Sequence, residues 1–371
     1  MYGRIAVLDK PFGEFKVQEI PVPEPKRGEL LVRQVMCGVC GTDVHIYQGR
    51  LPDVKYPLVL GHEIIGTIEK LGEGVNRDHT GREVEEGDLI YVIPALRCRR
   101  CYFCLDLRQP NLCMDGTAYG FNPYPDEPPG FYGGYGEFLY MRHPNSEFLK
   151  IDAKPEAAVF LEPLTIGIHA VSRVEIHVGD VVVVQGAGAI GLSALIAAKE
   201  KGAFKMIVIG APKSRLELAK EFGADLTIDI EEIEDPKERV EIVKSETRGG
   251  YGADVVIECT GFPSAVPEGI DMVRRGGFYA VAGHFTDAGP VMINPYSAFT
   301  RKHINLVGVW SSRLEDFIRG RPIIESGRYP IEKIVSHKLP LERCKDAMEA
   351  MIEGYRLDGK EVRKIVIQGG L

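Results

Sequence analysis

Tryptophan occurs once in this 371-residue chain, and glutamine and asparagine occur six times each. Few amides beside abundant Glu, Lys and Arg is a bias of heat-adapted proteins that a mesophile can share. No apolar run reaches the roughly 20 residues that cross a bilayer, and the opening MYGRIAVLDKPFGEF lacks the layout of a secretory signal. Long runs of one charge are also missing. Lys+Arg number 45 against 53 Asp+Glu, a formal charge of −8, so there is no basic footprint and nucleic acid is not an expected partner. There is no internal repeat and no low-complexity segment. What is present is an ordinary globular composition, long enough for two cored domains.

Eight cysteines occur, and four of them crowd into CRRCYFCLDLRQPNLC: Cys98, Cys101, Cys104 and Cys113. Thiolates at such gaps can converge on one tetrahedral ion from a single lobe, about residues 95–115, which is how a structural zinc site is built. Clustering at metal spacing, in a chain without a secretory segment, argues for thiols in a reducing cytoplasm rather than disulfides. Cys37, Cys259 and Cys344 read as packing residues. His143, His169, His177 and His303 read as packing or surface residues.

The pattern along the chain divides into three. Residues 1–154 are β-rich, with short apolar runs at Glu29–Met36, Glu63–Leu71 and Asp88–Ile93 broken by Gly, Pro and Asp. Residues 155–298 begin with a buried helix over Pro155–Val174 and then alternate strand and helix, which predicts a parallel sheet covered on both faces. From 299 to 371 the chain is expected to leave that sheet, with a helix over Leu341–Gly354 and a closing strand over Arg363–Ile367. The fold class is therefore α/β plus β. One stretch, Met114–Phe138, carries six aromatic rings from Tyr119 to Tyr135 among Pro and Gly, and reads as a long ordered loop.

In VVVVQGAGAIGLSALIAAKEKG a strand, a G-x-G-x-x-G turn and a helix beginning near Ile190 follow one another. Gly186 permits the tight turn, Gly188 admits a pyrophosphate to the backbone, and Gly191 allows close helix–strand packing. The flanking strand and helix supply the context that a bare glycine motif lacks. The second strand, MIVIG, ends at Gly210 where an acid would bind ribose hydroxyls, and Lys213 and Arg215 follow. Loss of the acid removes repulsion against a 2′-phosphate, so NADP is slightly favoured over NAD.

A second metal set is dispersed. Cys40 offers a thiolate, His62 an imidazole, and Glu63 and Glu162 offer carboxylates. A catalytic zinc takes such a mixed set and keeps one exchangeable position. Each residue alone has a plainer reading: a core histidine, a small buried cysteine, an Asp43 that caps a helix.

Taken together, CGVCGTDVH, YPLVLGHEIIGTIEKLGEGV, the four-cysteine lobe, EPLTIGIHAV, GAGAIG, DVVIECTG and RRGGFYAVAG resemble the zinc-containing medium-chain alcohol dehydrogenase family, nearest its polyol and threonine dehydrogenase branch. The resemblance spans essentially the whole chain. It implies a GroES-like β-barrel catalytic domain built from both chain ends, a central Rossmann domain, and a cleft between them for substrate. It implies two zinc ions: one held by the four cysteines, and a catalytic one held by Cys40, His62 and either Glu63 or Glu162, with Asp43 orienting His62. Thr42 and His45 match a proton relay. The implied reaction takes a secondary alcohol (a polyol, sugar or cyclic alcohol) to the ketone, with hydride passing to NAD(P). It also implies a homodimer or homotetramer, with Phe299–Ser312 serving either an interface or an internal strand.

Two departures stand out. The last gap in the cysteine lobe is one residue longer than the family pattern, and Met114–Phe138 is longer than in threonine dehydrogenases, so it is expected to cap the cleft or an oligomer contact and to shape substrate choice. Two other readings compete: a zinc-free NADPH-dependent double-bond reductase on the same scaffold, and a non-catalytic binding protein that kept the fold. Cys40, His62 and Glu63 argue against the first. Intact relay, ligand and nucleotide residues argue against the second.

Overall fold

A computed structural model describes residues 1–370. The chain divides into two compact units: Met1–Glu162 together with the chain from Arg321 onward, and Pro163–Gly320.

The first unit is β-rich because its apolar residues come in short runs between turn formers. The strands Tyr2–Leu8 and Phe15–Pro21 form an antiparallel pair, joined by Leu58–Val59. A seven-stranded sheet runs Glu147–Lys150, Leu89–Ile93, Glu63–Leu71, Leu30–Gly38, Lys364–Ile367, Val335–Leu339, with Phe138–Met141 also paired to Leu30–Gly38. Only its last pair is parallel. The closing strand lies antiparallel to Cys37 and Gly38, so both chain ends share one sheet. Ile5, Val32, Ile64, Ile90, Leu139 and Ile365 are buried together in its core. The closing helix is shorter than its apolar pattern, Cys344–Ile352, because a 3₁₀ turn at Leu341–Arg343 precedes it.

The second unit holds a six-stranded, all-parallel sheet in the order Leu226–Asp229, Lys205–Gly210, Val181–Gln185, Ala253–Glu258, Val273–Val281, Asn305–Gly308. This is the 3-2-1-4-5-6 order of a doubly wound dinucleotide fold. Val181–Gln185 is buried at every position, as a strand covered on both faces must be. The predicted helix over Pro155–Val174 is two, Pro155–Ala158 and Leu161–Ser172.

The boundaries differ from 154/155 and 298/299. The chain does not leave the parallel sheet at 298. It adds Asn305–Gly308 beside Val273–Val281 and crosses over only after Gly320. That edge strand is short and largely exposed, so it lacks the continuous apolar run that marks the inner strands.

Candidate active site

The dispersed set sits at three places: Cys40 at the start of the helix Gly41–Tyr47, His62 and Glu63 at the start of the strand Glu63–Leu71, and Glu162 in the first turn of the helix Leu161–Ser172. Cys40 sits at the helix N-cap in extended conformation, and its backbone N–H donates to Asp43 Oδ2 at 2.9 Å. Asp43 thus caps the helix, as its plainer reading expected. Its other oxygen lies 3.5 Å from His62 Nδ1, so it also orients that ring. The Tyr135 hydroxyl donates to Oδ2 at 3.2 Å. A fully buried carboxylate is costly unless so partnered. With Nδ1 turned towards Asp43, Nε2 is the ring nitrogen left for a ligand. Burial disfavours a charged His62, but Asp43 and Cys40 hold its pKa well above the usual range.

Ligand atoms of Cys40, His62 and Glu63 lie within 4.8 Å of one another. Glu63 is fully buried and accepts from Lys364 Nζ at 2.6 Å, a residue of the closing strand. A methyl group on Gly38 would meet Glu63 Oε2 at 1.9 Å and Lys364 Cε at 2.9 Å, so glycine is required there for the pair to form. Burial pushes the Glu162 carboxyl up to about 7, His62 opposes the shift, and Glu63 and Asp43 add to it. One buried lysine, Lys364, faces the Cys40 thiol and two carboxyls, Glu63 and Glu162. That excess of anionic donors, soft and hard together, fits a divalent zinc.

Thr42 Oγ1 is 3.6 Å from Cys40 Sγ, and His45 follows three residues later on the same helical face. Burial, with Arg50 nearby, lowers the His45 pKa. Phe121 stands against the His62 ring at 5.5 Å between centroids. The Met114–Phe138 segment is not a lid throughout: Tyr119, Phe131 and Tyr135 are core residues. Its exposed stretches are Met114–Gly116 and Pro125–Pro128, and beside the second Arg142 stacks on Tyr124 at 4.0 Å and pairs with Glu127.

The four-cysteine lobe closes as its spacing predicts. Sγ atoms of Cys98 and Cys104, and of Cys101 and Cys113, are 4.0 Å apart. Tetrahedral zinc with bonds of about 2.3 Å places its sulfurs about 3.8 Å apart. Backbone N–H groups of Cys98 and Cys101 donate to Cys113 and Cys98 sulfurs at 3.4 Å. The Arg100 backbone N–H, with that of Cys101, brings the Cys98 thiol down to about 7, whereas burial pushes the Cys104 and Cys113 thiols up. The longer last gap is absorbed by the short helix Tyr102–Leu105 and the turn Pro110–Leu112, without loss of the cluster.

In the second unit Gly186 takes φ +104° at the end of Val181–Gln185, a conformation that excludes side chains. A methyl group on Gly191 would lie 1.8 Å from Gly186 O, whereas one on Gly188, the N-cap of Ala189–Glu200, would meet nothing within 4 Å. Gly191 therefore serves internal packing, and Gly188 leaves the helix N-terminus, with Ile190 in its first turn, open to a phosphate. Gly210 has no room for an acid, since a Cβ there would meet Ala187 N at 2.8 Å. Lys213 is exposed, 3.6 Å from Glu232, and Arg215 is half-buried on the same helix.

Sequence reasoning missed Lys364, Tyr135 and Phe121. Lys364 had one visible signal: a lysine heading the otherwise apolar strand KIVI, buried at every position. The other two lay among six aromatics with nothing to rank them.

A doubly wound sheet with a phosphate-ready glycine turn, and a separate mixed thiolate–imidazole–carboxylate cluster, are the parts of a nucleotide-dependent, metal-using oxidoreductase. Comparison with known proteins narrows the class. Residues 26–153 match the alcohol dehydrogenase GroES-like domain, and residues 189–325 the zinc-binding dehydrogenase family. The chain is 32% identical over 358 residues to 5-exo-hydroxycamphor dehydrogenase of Pseudomonas putida, covering 95% of this chain and 96% of that one. It is 34% identical over 343 residues to a sorbitol dehydrogenase of Halalkalibacterium halodurans, covering 92% and 94%. The structure of an alcohol dehydrogenase from Thermotoga maritima matches 99% of each chain at 32% identity and a TM-score of 0.89. The chain belongs to the zinc-containing medium-chain alcohol dehydrogenase family.

Proposed function

We propose that this protein oxidises a secondary alcohol to the ketone while reducing NAD(P), and runs the reverse reduction with the same residues. The substrate class is a polyol, sugar or cyclic alcohol. The observation that carries the reading is the convergence of Cys40, His62 and Glu63 ligand atoms within 4.8 Å, with the Thr42 hydroxyl beside the thiol.

Cys40, His62 and one of Glu63 or Glu162 would hold zinc. The Lys364 contact occupies Glu63, which favours Glu162 as the carboxylate ligand. The bound metal supplies Lewis acidity that lowers the pKa of the substrate hydroxyl. Thr42 accepts the hydroxyl proton and passes it towards His45, which burial keeps neutral near pH 7 and so able to receive it. Asp43 fixes the His62 ring, and Phe121 supplies an apolar wall beside it. Gly186, Gly188 and Gly191 seat the dinucleotide. The exposed Lys213–Glu232 pair is weak enough for Lys213 to turn to a 2′-phosphate, which leans the cofactor towards NADP.

The assembly is a homodimer or homotetramer. The exposed edge strand Asn305–Gly308, with exposed Leu306 beside the stacked Phe285 and Trp310, supports this. Eight free cysteines support a reducing cytoplasm, and no described helix is long and apolar enough to cross a membrane.

The test is steady-state turnover of zinc-quantified protein on polyols, sugars and cyclic secondary alcohols, with NAD and NADP in parallel. Two zinc ions per chain and ketone formation lost in Cys40→Ser are expected. One zinc per chain and no alcohol oxidation would remove the proposal.

A further inference from the structure

The amino-terminal ends of three neighbouring strands of the parallel sheet bring together charges that the reaction above does not use. Ala253–Glu258 and Val273–Val281 run in register at Ala253↔Val273 and again at Val255↔Phe278. Two steps on one strand therefore face five on the other. The surplus, Arg274–Gly277, bulges out of the sheet, with Gly276 at φ +71° making the turn. Gly276 N–H donates to Lys302 O at 2.9 Å, which ties the bulge to the lead-in of the third strand, Asn305–Gly308.

These segments line a cavity of about 480 Å³. Arg274 and Arg275 come from the bulge, Arg301 and Lys302 from the third lead-in, and Lys244 from the last turn of the helix Pro236–Ser245. Asp271 is the one carboxylate in the lining. Three of the cations have partners already: Arg274 pairs with Asp254 at 2.5 Å, Lys244 with Glu241 at 2.9 Å, and Lys302 donates to the carbonyls of Ile270 and Asp271 at 2.6 and 3.3 Å. The Lys302 partners are neutral, so its charge is not cancelled. Burial lowers its pKa, Asp271 opposes the shift and Lys244 adds to it. Among the described residues, the Arg275 and Arg301 side chains form no ion pair, in a chain whose net charge is −8. Tyr251 completes the wall: it is 77% exposed, and a Cβ on Gly249 would lie 2.6 Å from its ring, so the ring rests on backbone with one face open.

We propose that this cavity is a binding site for a small polyphosphate, separate from the dinucleotide site, with Arg275, Arg301 and Lys302 taking the phosphates and the Tyr251 ring stacking on an attached base. Guanidinium groups suit this ligand because they present paired donors to phosphate oxygens. The glycine turn lies at the carboxyl ends of the same parallel strands, so a strand's length, about 15–20 Å, separates the two sites. Both can be filled at once.

The test uses zinc-loaded protein saturated with its preferred dinucleotide, so that the glycine turn is already occupied. Calorimetric titration with tripolyphosphate at low salt, with zinc content measured afterwards, is expected to show one ligand per chain. The double variant Arg275→Gln/Arg301→Gln is expected to bind about tenfold or more weakly, with unchanged melting temperature, dinucleotide affinity and alcohol turnover. ATP is expected to bind about tenfold more tightly than tripolyphosphate, a gain that Tyr251→Ala removes. No saturable binding of tripolyphosphate, equal binding by wild type and double variant, or heat that tracks zinc loss would overturn the site. Equal affinity for ATP and tripolyphosphate would overturn the stacking role and leave a bare polyphosphate site.

Discussion

The two cysteine-bearing clusters of the first unit differ in almost every respect. The lobe of Cys98, Cys101, Cys104 and Cys113 draws four identical donors from 16 consecutive residues, each partly exposed. The Cys40 cluster draws three different donors from two segments, and its shell takes Asp43 from the Cys40 helix and Tyr135, Lys364 and Glu162 from three more segments. A set of four thiolates saturates a tetrahedral ion and leaves no position for substrate. Three mixed donors leave one, and the buried polar shell then decides which way each donor points. Closure makes a site structural. Incompleteness, held rigid by partners, makes one catalytic.

The comparison breaks most sharply on the thiols themselves. Cys40→Ser is expected to cost one zinc and at least about 10³-fold in turnover, while the melting temperature barely moves. Cys101→Ser is expected to cost the other zinc and about 4 kcal/mol or more of stability, seen as a lowered melting point and new protease cleavage near residues 95–115. Swapped outcomes would reverse the two assignments.

Next in size is the buried ion pair. Lys364→Met leaves Glu63 charged and unpaired, with an expected loss of about 3–5 kcal/mol in denaturant unfolding. The double variant Lys364→Met/Glu63→Gln should recover most of it. Without that recovery the lysine does not act through Glu63.

Asp43→Asn weakens the hold on His62 and is expected to lower zinc affinity at that site about 10- to 100-fold. Competition with a chelator measures it, and the four-cysteine site, which has no such shell, serves as the internal control.

The smallest effect is a pH profile. In the proposed relay a neutral His45 accepts the proton, and its pKa is depressed below the ordinary value of 6.5 by burial and Arg50. The neutral form therefore persists to lower pH. The kcat/KM for alcohol oxidation should hold through neutrality and fall only below that value, and His45→Asn should remove the acid limb. An unchanged limb in the variant would take His45 out of the relay.

Legibility in the sequence followed distance along the chain. The cysteine lobe and the glycine turn were readable because each is a local device: donor spacing, strand, turn and helix adjoin one another, so a short window contains the whole geometry. Inner strands of the parallel sheet were readable from their apolar runs. The edge strand Asn305–Gly308 was not, because an exposed, four-residue strand carries no such run, and the domain boundary was misplaced with it. Asp43 shows a different limit. Its two readings, helix cap and partner of the ring, do not exclude one another, since Oδ2 accepts from Cys40 N while Oδ1 lies 3.5 Å from His62 Nδ1.

By itself the sequence determined the class of fold, both candidate metal sets and the dinucleotide turn, because residue type and local spacing suffice for them. Tertiary structure alone decided that a lysine near the carboxyl end holds Glu63, that Tyr135 and Phe121 stand at Asp43 and His62, and that arginines on a bulge share one cavity with Lys302. Those contacts join strands and loops distant in the chain. No local propensity encodes them, and they appear only when burial and sheet register bring the segments together.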